Sequence, residues 1–326
     1  MKIHILDDWF DTLRGLPCFA KLSPHDVTVW TDHQPDPQQL AARVKDAEGL
    51  VLFRERTKIT AELLDLLPNL KLISQRSVYP HIDVEACTRN DVLLCSNMHS
   101  DTPSYAAAEM TLALILASYR QIPQQVQSLK TGTWQSGVGR SLRGRTLGLY
   151  GYGRIAGAVA SYAAALGLNV QWWASEAGRA RAVTDGQTVA ASREAFFATS
   201  DIVSVHVRLK PETRGIIKAA DLAAMSPRSL FVNTSRSGLV AEGALEAEIA
   251  QNRIFAAVDV FDTEPLTDTN HPLLTHENVL ATPHLGYVTE DEFDLQFSDI
   301  FDQVNAFSEG APTHMINSEV WDRQNS

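Results

Sequence analysis

The sequence is poor in cysteine, with only Cys18, Cys87 and Cys95 in 326 residues. They form no CxxC pair and no cluster with histidine, so neither a disulfide framework nor a thiolate metal site is expected. The N-terminus lacks the basic start, apolar run and small-residue cleavage site of a secretory signal. These absences predict a protein of the reducing cytoplasm that uses no metal.

Positive charge and long hydrophobic runs are also scarce. Lysine and arginine number 28 against 39 acidic residues, which gives a net charge of −11 and a pI near 5.4. That balance removes the long-range attraction to phosphodiester backbones and anionic lipid, so neither nucleic acid nor a membrane is an expected partner. The most apolar helical stretch carries Glu109 and ends in Arg120, so it is too short and too interrupted to span a bilayer.

Hydrophobic residues, in contrast, make up 44% of the chain, and its 326 residues suffice for two compact cores. Short β-rich runs alternate with helix-like segments, a pattern typical of parallel sheets covered by helices on both faces. One series of strands is predicted at KIHIL, VTVW, GLVLF, LKLIS and VLLCS, and a second at TLGLYG, NVQWW, DIVSVHV, SLFVNTS, AAVDVF and NVLATPH. We therefore predict an α/β protein with two doubly wound parallel-sheet domains.

Two long helices are expected to join these domains. The first runs from about Ser104 to Arg120. The second begins at Thr289, whose hydroxyl caps it with Glu292 as the capping-box partner, and it presents a stripe of phenylalanine, isoleucine and valine. That stripe needs a surface to pack on, which the first domain supplies. The chain should therefore cross twice between the domains, with a hinged cleft as the expected result.

The segment TLGLYGYGRIAGAVA has the layout of a strand, a glycine turn and a helix. Gly151 and Gly153 let the backbone approach a dinucleotide pyrophosphate with no Cβ in the way, while the helix from about Arg154 directs its positive end at the phosphates. Ala156 replaces the usual third glycine, whose role is close packing of helix on strand, and one methyl group is tolerated there. The segment predicts a dinucleotide site.

The end of the next strand leaves the choice between NAD and NADP open. Ala174 stands where the carboxylate that binds the ribose hydroxyls is expected, and Ser175 and Glu176 follow it. In one interpretation Glu176 binds the ribose hydroxyls of NAD. In another, Arg179 and Arg181 bind the 2′-phosphate of NADP. A third treats these charged residues as a solvated loop.

Reduction of a 2-keto acid requires three kinds of side chain besides a nicotinamide. Arginine holds a carboxylate and a keto oxygen with its planar fork, histidine exchanges a proton near neutral pH, and a carboxylate orients that histidine and favours its protonated form. The ends of three predicted strands offer one of each, Arg236, Glu264 and His284. Because ligands of open α/β sheets gather at the carboxyl ends of strands, these residues are expected to meet in one site.

These segments together resemble the D-isomer-specific 2-hydroxyacid dehydrogenase family, and the likeness covers nearly the whole chain. It rests on RSLRGRTLGLYGYGRIA, SVHVRLKPETRGII, LFVNTSRSGLV, AAVDVFDTEPL, LATPHLGYVT and GAPTHMINSEV. The resemblance implies a Rossmann NAD(P)-binding domain, residues 101–287, inserted into a flavodoxin-like substrate domain of residues 1–100 and 288–326. It also implies a homodimer through the nucleotide-binding domain and hydride transfer between NAD(P)H and a 2-keto acid or D-2-hydroxy acid.

The resemblance assigns roles position by position. The catalytic arginine, glutamate and acid/base histidine fall on Arg236, Glu264 and His284. The resemblance places cofactor contacts at Tyr152, Gly153, Arg154, Ile155, His206, Thr213, Thr234, Ser235 and Asp259, and the glycine turn and the next strand end add Gly151 and Ser175 as cofactor-binding positions. Asp259 is expected near the nicotinamide carboxamide, and Thr234 and Ser235 along the nicotinamide ribose.

The substrate side departs from the family pattern. Ser77, Val78 and Tyr79 stand where the family has a glycine-rich turn whose N–H groups receive the substrate carboxylate, and Tyr79 is expected to add bulk there. Arg54 is a second cation expected near the substrate, or else a salt-bridge partner of Glu55. Two other functions remain as alternatives, a nicotinamide-sensing corepressor-like module and a dehydrogenase for another small anion such as formate or phosphonate.

Overall fold

A computed structural model describes residues 1–98 and 105–325 of the chain, with the side chains of 324 and 325 excepted. By the density of internal contacts the chain divides into two compact units. Unit 1 comprises Met1–Pro103 and Thr289–Ser326, and unit 2 comprises Ser104–Val288.

Strands and helices alternate along the chain. The strands are β1 (Lys2–Ile5), β2 (Asp26–Val29), β3 (Gly49–Val51), β4 (Leu72–Arg76), β5 (Leu93–Asn97), β6 (Thr146–Tyr150), β7 (Asn169–Trp173), β8 (Ile202–Val205), β9 (Leu230–Asn233), β10 (Phe255–Val258) and β11 (Val279–Ala281). The α-helices are α1 (Pro37–Arg43), α2 (Ala61–Asp65), α3 (Val84–Arg89), α4 (Ala106–Arg120), α5 (Ile122–Lys130), α6 (Arg154–Ala165), α7 (Glu176–Thr184), α8 (Arg193–Thr199), α9 (Ala219–Ala224), α10 (Ala244–Ile249), α11 (Pro272–Thr275), α12 (Glu290–Ser308) and α13 (Glu319–Asn325). Short 3-10 helices span Leu13–Gly15, Pro17–Leu22, Pro211–Thr213 and Ser237–Leu239.

Unit 1 is built on a parallel five-stranded sheet in the order β2-β1-β3-β4-β5. This is the strand order of flavodoxin-like folds. Apolar side chains from β3 and β4 and from α1 to α3 form a core on the sheet. Because both faces of a parallel sheet are covered, β3 and β4 are buried along their whole length.

Helix α12 packs on the sheet of unit 1 through its aromatic stripe. The Phe297 ring lies 4.3 Å from the Phe53 ring, centroid to centroid, and Phe301 contacts Phe19 at 6.2 Å. The helix begins as predicted, since the Thr289 hydroxyl accepts a hydrogen bond from the Glu292 N–H at 3.1 Å. The predicted capping box is not formed, because among the described residues the carboxylate of Glu292 accepts a hydrogen bond from Gln296 one turn further along the helix and not from the Thr289 N–H.

Unit 2 is built on a parallel six-stranded sheet in the order β11-β10-β9-β8-β6-β7. Helices α4 and α6 contact each other, and their apolar residues share one core with β6 and β9. A second core gathers residues of α8, α9 and α10 with others from β8 to β10. The strand order reverses between β6 and β8, and ligands of open α/β sheets bind at such a reversal, outside the carboxyl ends of the strands.

The predicted α/β class with two doubly wound parallel sheets is confirmed. Each predicted strand is present, with ends that differ by a few residues because the hydrogen-bonding neighbour decides where a ladder stops. Helix α4 also forms, and the predicted start at Ser104 lies outside the described residues. In the described part of the chain, no helix combines the length and the apolar character that a membrane span requires.

Candidate active site

The carboxyl edge of the unit 2 sheet carries the predicted site residues that lie in this unit. Gly151 follows β6, Ser175 follows β7 and His206 follows β8. Arg236 lies three residues beyond the end of β9, and His284 three beyond the end of β11. Because the strands are parallel, residues distant in sequence are brought to this single edge.

The turn after β6 has the geometry that glycine makes possible. Gly151 has φ +121°, and a Cβ built on it lies 2.3 Å from the carbonyl oxygen of His206. A Cβ built on Gly153 meets nothing within 4 Å, so the space next to this residue is open. Ala156 is fully buried at 0% exposure, where its methyl group packs in the core shared with β6.

This turn fits the pyrophosphate of a dinucleotide. The twelve-residue α6 begins at Arg154, directly after Gly153, and directs the N–H groups of its first turn and its positive dipole end toward the glycine turn. A Cβ at Gly151 would clash with the His206 carbonyl, because the turn after β6 lies close to the end of the neighbouring strand β8. Within the turn, the hydroxyl of Tyr152 donates a hydrogen bond to Asp185 at 2.6 Å.

The segment after β8 lies against the glycine turn. Burial lowers the pKa of His206 to about 4, so its ring is neutral near neutral pH, and its Nε2 lies 2.9 Å from the Ser204 hydroxyl. Thr213, in the short helix Pro211–Thr213, donates a hydrogen bond from its hydroxyl to the carbonyl of Arg208 at 2.7 Å. The side chain of Thr213 therefore stabilises the loop that follows β8.

The end of β7 carries arginines in place of an acidic residue. Ser175 caps α7, because its hydroxyl accepts a hydrogen bond from the Gly178 N–H. The Arg179 guanidinium stacks on Trp173 at 4.3 Å and donates to the carbonyl of Ala174 at 2.5 Å. Arg181 donates to the carbonyl of Tyr152 in the glycine turn at 3.2 Å. The structure thus places two guanidinium groups beside the strand end and the turn.

His284 and Glu264 are in direct contact. Nδ1 of His284 lies 2.6 Å from Oε2 of Glu264, while Oε1 of the same carboxylate accepts the N–H of Phe261 at 2.8 Å. The Tyr287 ring meets the imidazole edge to face at 5.2 Å. With Nδ1 directed at the carboxylate, Nε2 is the nitrogen left to face a substrate.

Glu264 is held in its ionised form. Burial by itself raises the pKa of this carboxyl group, but the hydrogen bond and charge of His284, the Phe261 N–H and the charge of Arg236 together lower the pKa below its ordinary value. Arg236 is therefore within electrostatic reach of the carboxylate. The Arg236 guanidinium also donates to the carbonyl of Ser235 at 2.7 Å.

Asp259 has a structural role that the sequence does not reveal. The residue is fully buried, and its carboxylate accepts hydrogen bonds from the Thr282 hydroxyl at 2.5 Å and from the N–H groups of Leu285 and Gly286 at 2.8 Å each. Burial raises the pKa of Asp259, and these three hydrogen bonds oppose that rise. Asp259 thereby fixes the loop that carries His284, which itself has φ +56°.

The residues after β9 are also held by partners that sequence reasoning missed. The hydroxyls of Thr234 and Thr111 lie 2.7 Å apart, so α4 contacts this strand end. Ser235 donates from its hydroxyl to the carbonyl of Val205 at 2.7 Å. The amide of Asn233 donates to the Arg236 carbonyl at 2.9 Å and accepts from the Ser235 N–H at 3.0 Å. In the sequence, an asparagine at the end of a buried strand is the only indication of these hydrogen bonds.

The four predicted substrate residues lie in unit 1. Ser77 has φ +76°, the left-handed conformation that glycine favours, and its N–H donates to the Asn97 carbonyl at 3.0 Å. Among the described residues, no acceptor is found for the N–H groups of Val78 and Tyr79. The Tyr79 side chain packs against the core of unit 1, and Arg54, with φ +55°, places its guanidinium 3.5 Å from Gln296.

Across residues 1–98 and 105–325, no three histidine, cysteine, aspartate or glutamate side chains are grouped as a metal ion would require.

Comparison with known proteins identifies a family. Residues 112–286 match the D-isomer specific 2-hydroxyacid dehydrogenase, NAD binding domain. The solved structure of a phosphoglycerate oxidoreductase from Vibrio cholerae aligns with a TM-score of 0.90 at 45% identity, covering 95% of this chain and 100% of that one.

Two relatives show how similarity extends along the chain. The glyoxylate reductase of Aeropyrum pernix is 33% identical, and the alignment covers 91% of each protein. The D-3-phosphoglycerate dehydrogenase of Mycobacterium tuberculosis is 39% identical over 300 residues, covering 87% of this chain and 55% of that enzyme. The chain thus spans about half the length of the curated D-3-phosphoglycerate dehydrogenase that it matches.

Proposed function

The chain belongs to the D-isomer-specific 2-hydroxyacid dehydrogenase family, and on that premise we propose that it transfers a hydride between NAD(P)H and a 2-keto acid, with the D-2-hydroxy acid as the reduced partner. The observation that carries this proposal is the 2.6 Å contact between His284 and Glu264. This pair lies on the same sheet edge as the glycine turn and within electrostatic reach of Arg236.

The dinucleotide is held, in this proposal, by the turn of Gly151 and Gly153 and by the N-terminus of α6. Thr234, Ser235 and His206 border the same edge. The nicotinamide of the bound coenzyme supplies or accepts the hydride. Everything else that the reaction needs comes from side chains of the chain itself.

Arg236 binds the substrate carboxylate and keto oxygen with its planar fork, which polarises the carbonyl group. His284, protonated and paired with Glu264, delivers the proton from Nε2 to the keto oxygen as that oxygen gains negative charge. In the oxidative direction the same nitrogen removes the hydroxyl proton. Asp259 acts indirectly, because its hydrogen bonds to residues 282–286 hold the imidazole in place.

A turnover assay tests the proposal. NADH and NADPH absorbance is followed with glyoxylate, hydroxypyruvate, 3-phosphohydroxypyruvate, pyruvate and phenylpyruvate, for wild type and for His284→Gln. We expect reduction of at least one keto acid by wild type, and a loss of turnover in His284→Gln with NADH binding retained. Coenzyme binding without turnover on the whole panel would instead favour a nicotinamide-sensing module. In parallel, formate and phosphonate are offered with NAD⁺ and NADP⁺, and oxidation of one of these anions without keto-acid reduction would favour a dehydrogenase for another anion.

We also propose that the chain accepts NADPH as well as NADH. The end of β7 places no carboxylate at Ala174, and the Arg179 guanidinium lies against that residue's carbonyl. A 2′-phosphate would meet positive charge there instead of repulsion. Arg179→Gln should weaken NADPH binding about tenfold or more and leave NADH binding nearly unchanged. Equal losses for the two coenzymes would contradict this assignment.

We propose further that the protein forms a homodimer through unit 2. Helix α5 and the segment after it expose large apolar side chains, which are Ile122 at 48%, Val126 at 47%, Leu129 at 57%, Trp134 at 79% and Val138 at 87%. A patch of this kind is typical of a protein interface. Light scattering after size exclusion should give a dimer for wild type and a smaller species for Trp134→Ser combined with Leu129→Ser. A monomeric wild type would contradict it.

A further inference from the structure

A cavity of about 240 Å³ opens at the amino edge of the unit 2 sheet. Its lining includes Arg145 just before β6, Asp201 just before β8 and Ser229 just before β9. The candidate active site lies at the other ends of these strands. Because β6 has five residues and a strand rises ~3.3 Å per residue, roughly 15 Å of sheet separates the two sites.

Three arginines and one aspartate line this cavity, namely Arg140, Arg145, Arg228 and Asp201. Arg140 stacks on Tyr119 at 4.3 Å and donates to the backbone carbonyl of Arg228. Arg145 and Asp201 form an ion pair at 3.1 Å, and the other Asp201 oxygen accepts the N–H of Thr146 at 2.9 Å. Asp201 is thus occupied by neighbours, which leaves an excess of positive charge in a chain whose net charge is −11.

The basic groups are close enough to affect one another. Burial lowers the pKa of Arg140, and the positive charges of Arg228 and Arg145 act in the same direction. Gathering like charges is unfavourable unless something of opposite sign binds between them.

Two polar groups of the cavity have no partner among the described residues. Ser229 is 3% exposed, and its buried hydroxyl has no hydrogen-bond partner. The exposed Arg228 has φ +66°, a conformation that a non-glycine residue seldom adopts, and its guanidinium makes no hydrogen bond or ion pair. A buried hydroxyl left unpaired is destabilising, so such groups ordinarily bind a partner.

We propose that this cavity is a binding site for a small phosphate monoester, separate from the coenzyme and substrate sites. Arginine forks match the oxygens of a phosphate group, and the Ser229 hydroxyl donates a further hydrogen bond to it. The volume exceeds the ~30 Å³ share of one water several-fold, which leaves room for the organic part of an ester beside the phosphate group. The exposed rim of Ser226, Pro227 and Arg228 gives the ligand access from solvent.

Calorimetric titration tests the site with inorganic phosphate and glycerol 3-phosphate as probes. The protein is saturated with NADH so that the glycine turn is occupied, and chloride replaces each probe at equal ionic strength. We expect saturable binding of glycerol 3-phosphate and weaker binding of inorganic phosphate. Arg228→Gln should weaken binding of the ester roughly ten- to a hundredfold, as expected for the loss of one charge-assisted hydrogen bond. Lys45→Gln, an exposed charge in unit 1, is the matched control and should bind as wild type does.

Two results would overturn the proposal. One is equal affinity for the ester in wild type and Arg228→Gln, and the other is an equal heat signal from chloride. Retained NADH binding shows that a variant is folded. If Arg228→Gln fails that check, Ser229→Ala decides the matter, because it removes one hydroxyl and should still weaken binding several-fold. Binding unaffected by Ser229→Ala would then refute the assignment.

Discussion

Replacing Glu264 by glutamine tests the proposed proton-transfer pair most directly. The carboxylate has two protein donors, since Oε2 lies 2.6 Å from His284 Nδ1 and Oε1 accepts the Phe261 N–H at 2.8 Å. Glutamine keeps the shape of glutamate but has one acceptor oxygen and no charge. In Glu264→Gln, one of these two donors therefore loses its acceptor, and the imidazolium form of His284 loses its counter-ion.

The size of the effect follows from this geometry. A hydrogen bond that involves a charged partner contributes about 1.5 to 3 kcal/mol. The Glu264 side chain is 34% exposed, so solvent screening favours the lower part of that range. A loss of about 1.5 to 2 kcal/mol corresponds to a decrease in kcat/KM of roughly ten- to thirtyfold for keto-acid reduction.

Steady-state reduction of the best keto acid measures this loss, with Glu277→Gln as the control because Glu277 is exposed and lies outside the site.

The pH dependence of stability gives a second readout. Because folding lowers the pKa of Glu264 below its ordinary value of 4.5, the ionised group stabilises the fold fully above 4.5 and loses that contribution as the pH falls through the lowered value. The Tm difference between wild type and Glu264→Gln should have its full size at neutral pH and should decrease toward zero as the pH is lowered.

One result would show that Glu264 has neither role. If Glu264→Gln matches Glu277→Gln in kcat/KM and in the pH dependence of Tm, then the carboxylate neither supports the imidazolium nor stabilises the fold. Glu264→Asp adds a further check, because it keeps the charge and shortens the side chain by one methylene. That variant should fall between wild type and glutamine.

Three further outcomes are expected. Gly151→Ala should greatly weaken NADH binding and lower Tm, because its Cβ meets the His206 carbonyl oxygen at 2.3 Å. Gly157→Ala, whose Cβ meets nothing within 4 Å, should instead stabilise α6 by about 0.5 to 1 kcal/mol. Equal effects of the two variants in NADH titration would contradict this. The three cysteines are buried with pKa values raised to about 12, so a thiol reagent at mildly alkaline pH should label none in native protein and all after unfolding, and rapid native labelling would refute their burial. In denaturant titrations, Phe297→Ala should lower the free energy of unfolding by about 3 to 5 kcal/mol. Phe307→Ala should lower it by less, because that ring is only half-buried. A smaller loss for Phe297→Ala than for Phe307→Ala would contradict the packing of α12.

Much of the secondary structure can be predicted from local pattern. Runs such as NVQWW and TLGLY are rich in apolar residues and bounded by turn residues, and they form β7 and β6. Thr289 caps α12 because a hydroxyl at that position satisfies a free N–H group at the helix start. The chemistry of arginine, glutamate and histidine at strand ends was likewise visible in the sequence, although their contact was only an inference from the parallel topology.

Other features depend on residues that are far apart in the chain. Ser77 takes the left-handed backbone conformation that glycine favours, and Tyr79, expected to add bulk on the substrate side, packs against the core of unit 1. The prediction that Asp259 lies near the nicotinamide stays a prediction, and the hydrogen bonds from the backbone N–H groups of residues 285 and 286 to its carboxylate are an additional role. Neither arrangement has a local signature.

The amino-acid sequence by itself determined which segments become strands, where the glycine turn occurs and which chemical groups are available, because these depend on side-chain patterns within a few neighbouring residues. Only the tertiary structure decided that His284 and Glu264 lie 2.6 Å apart, that Asp259 braces their loop, and that three arginines line a cavity at the opposite edge. Those distances are set by how the strands pair and how the loops pack, so hydrogen bonds between distant segments determine them.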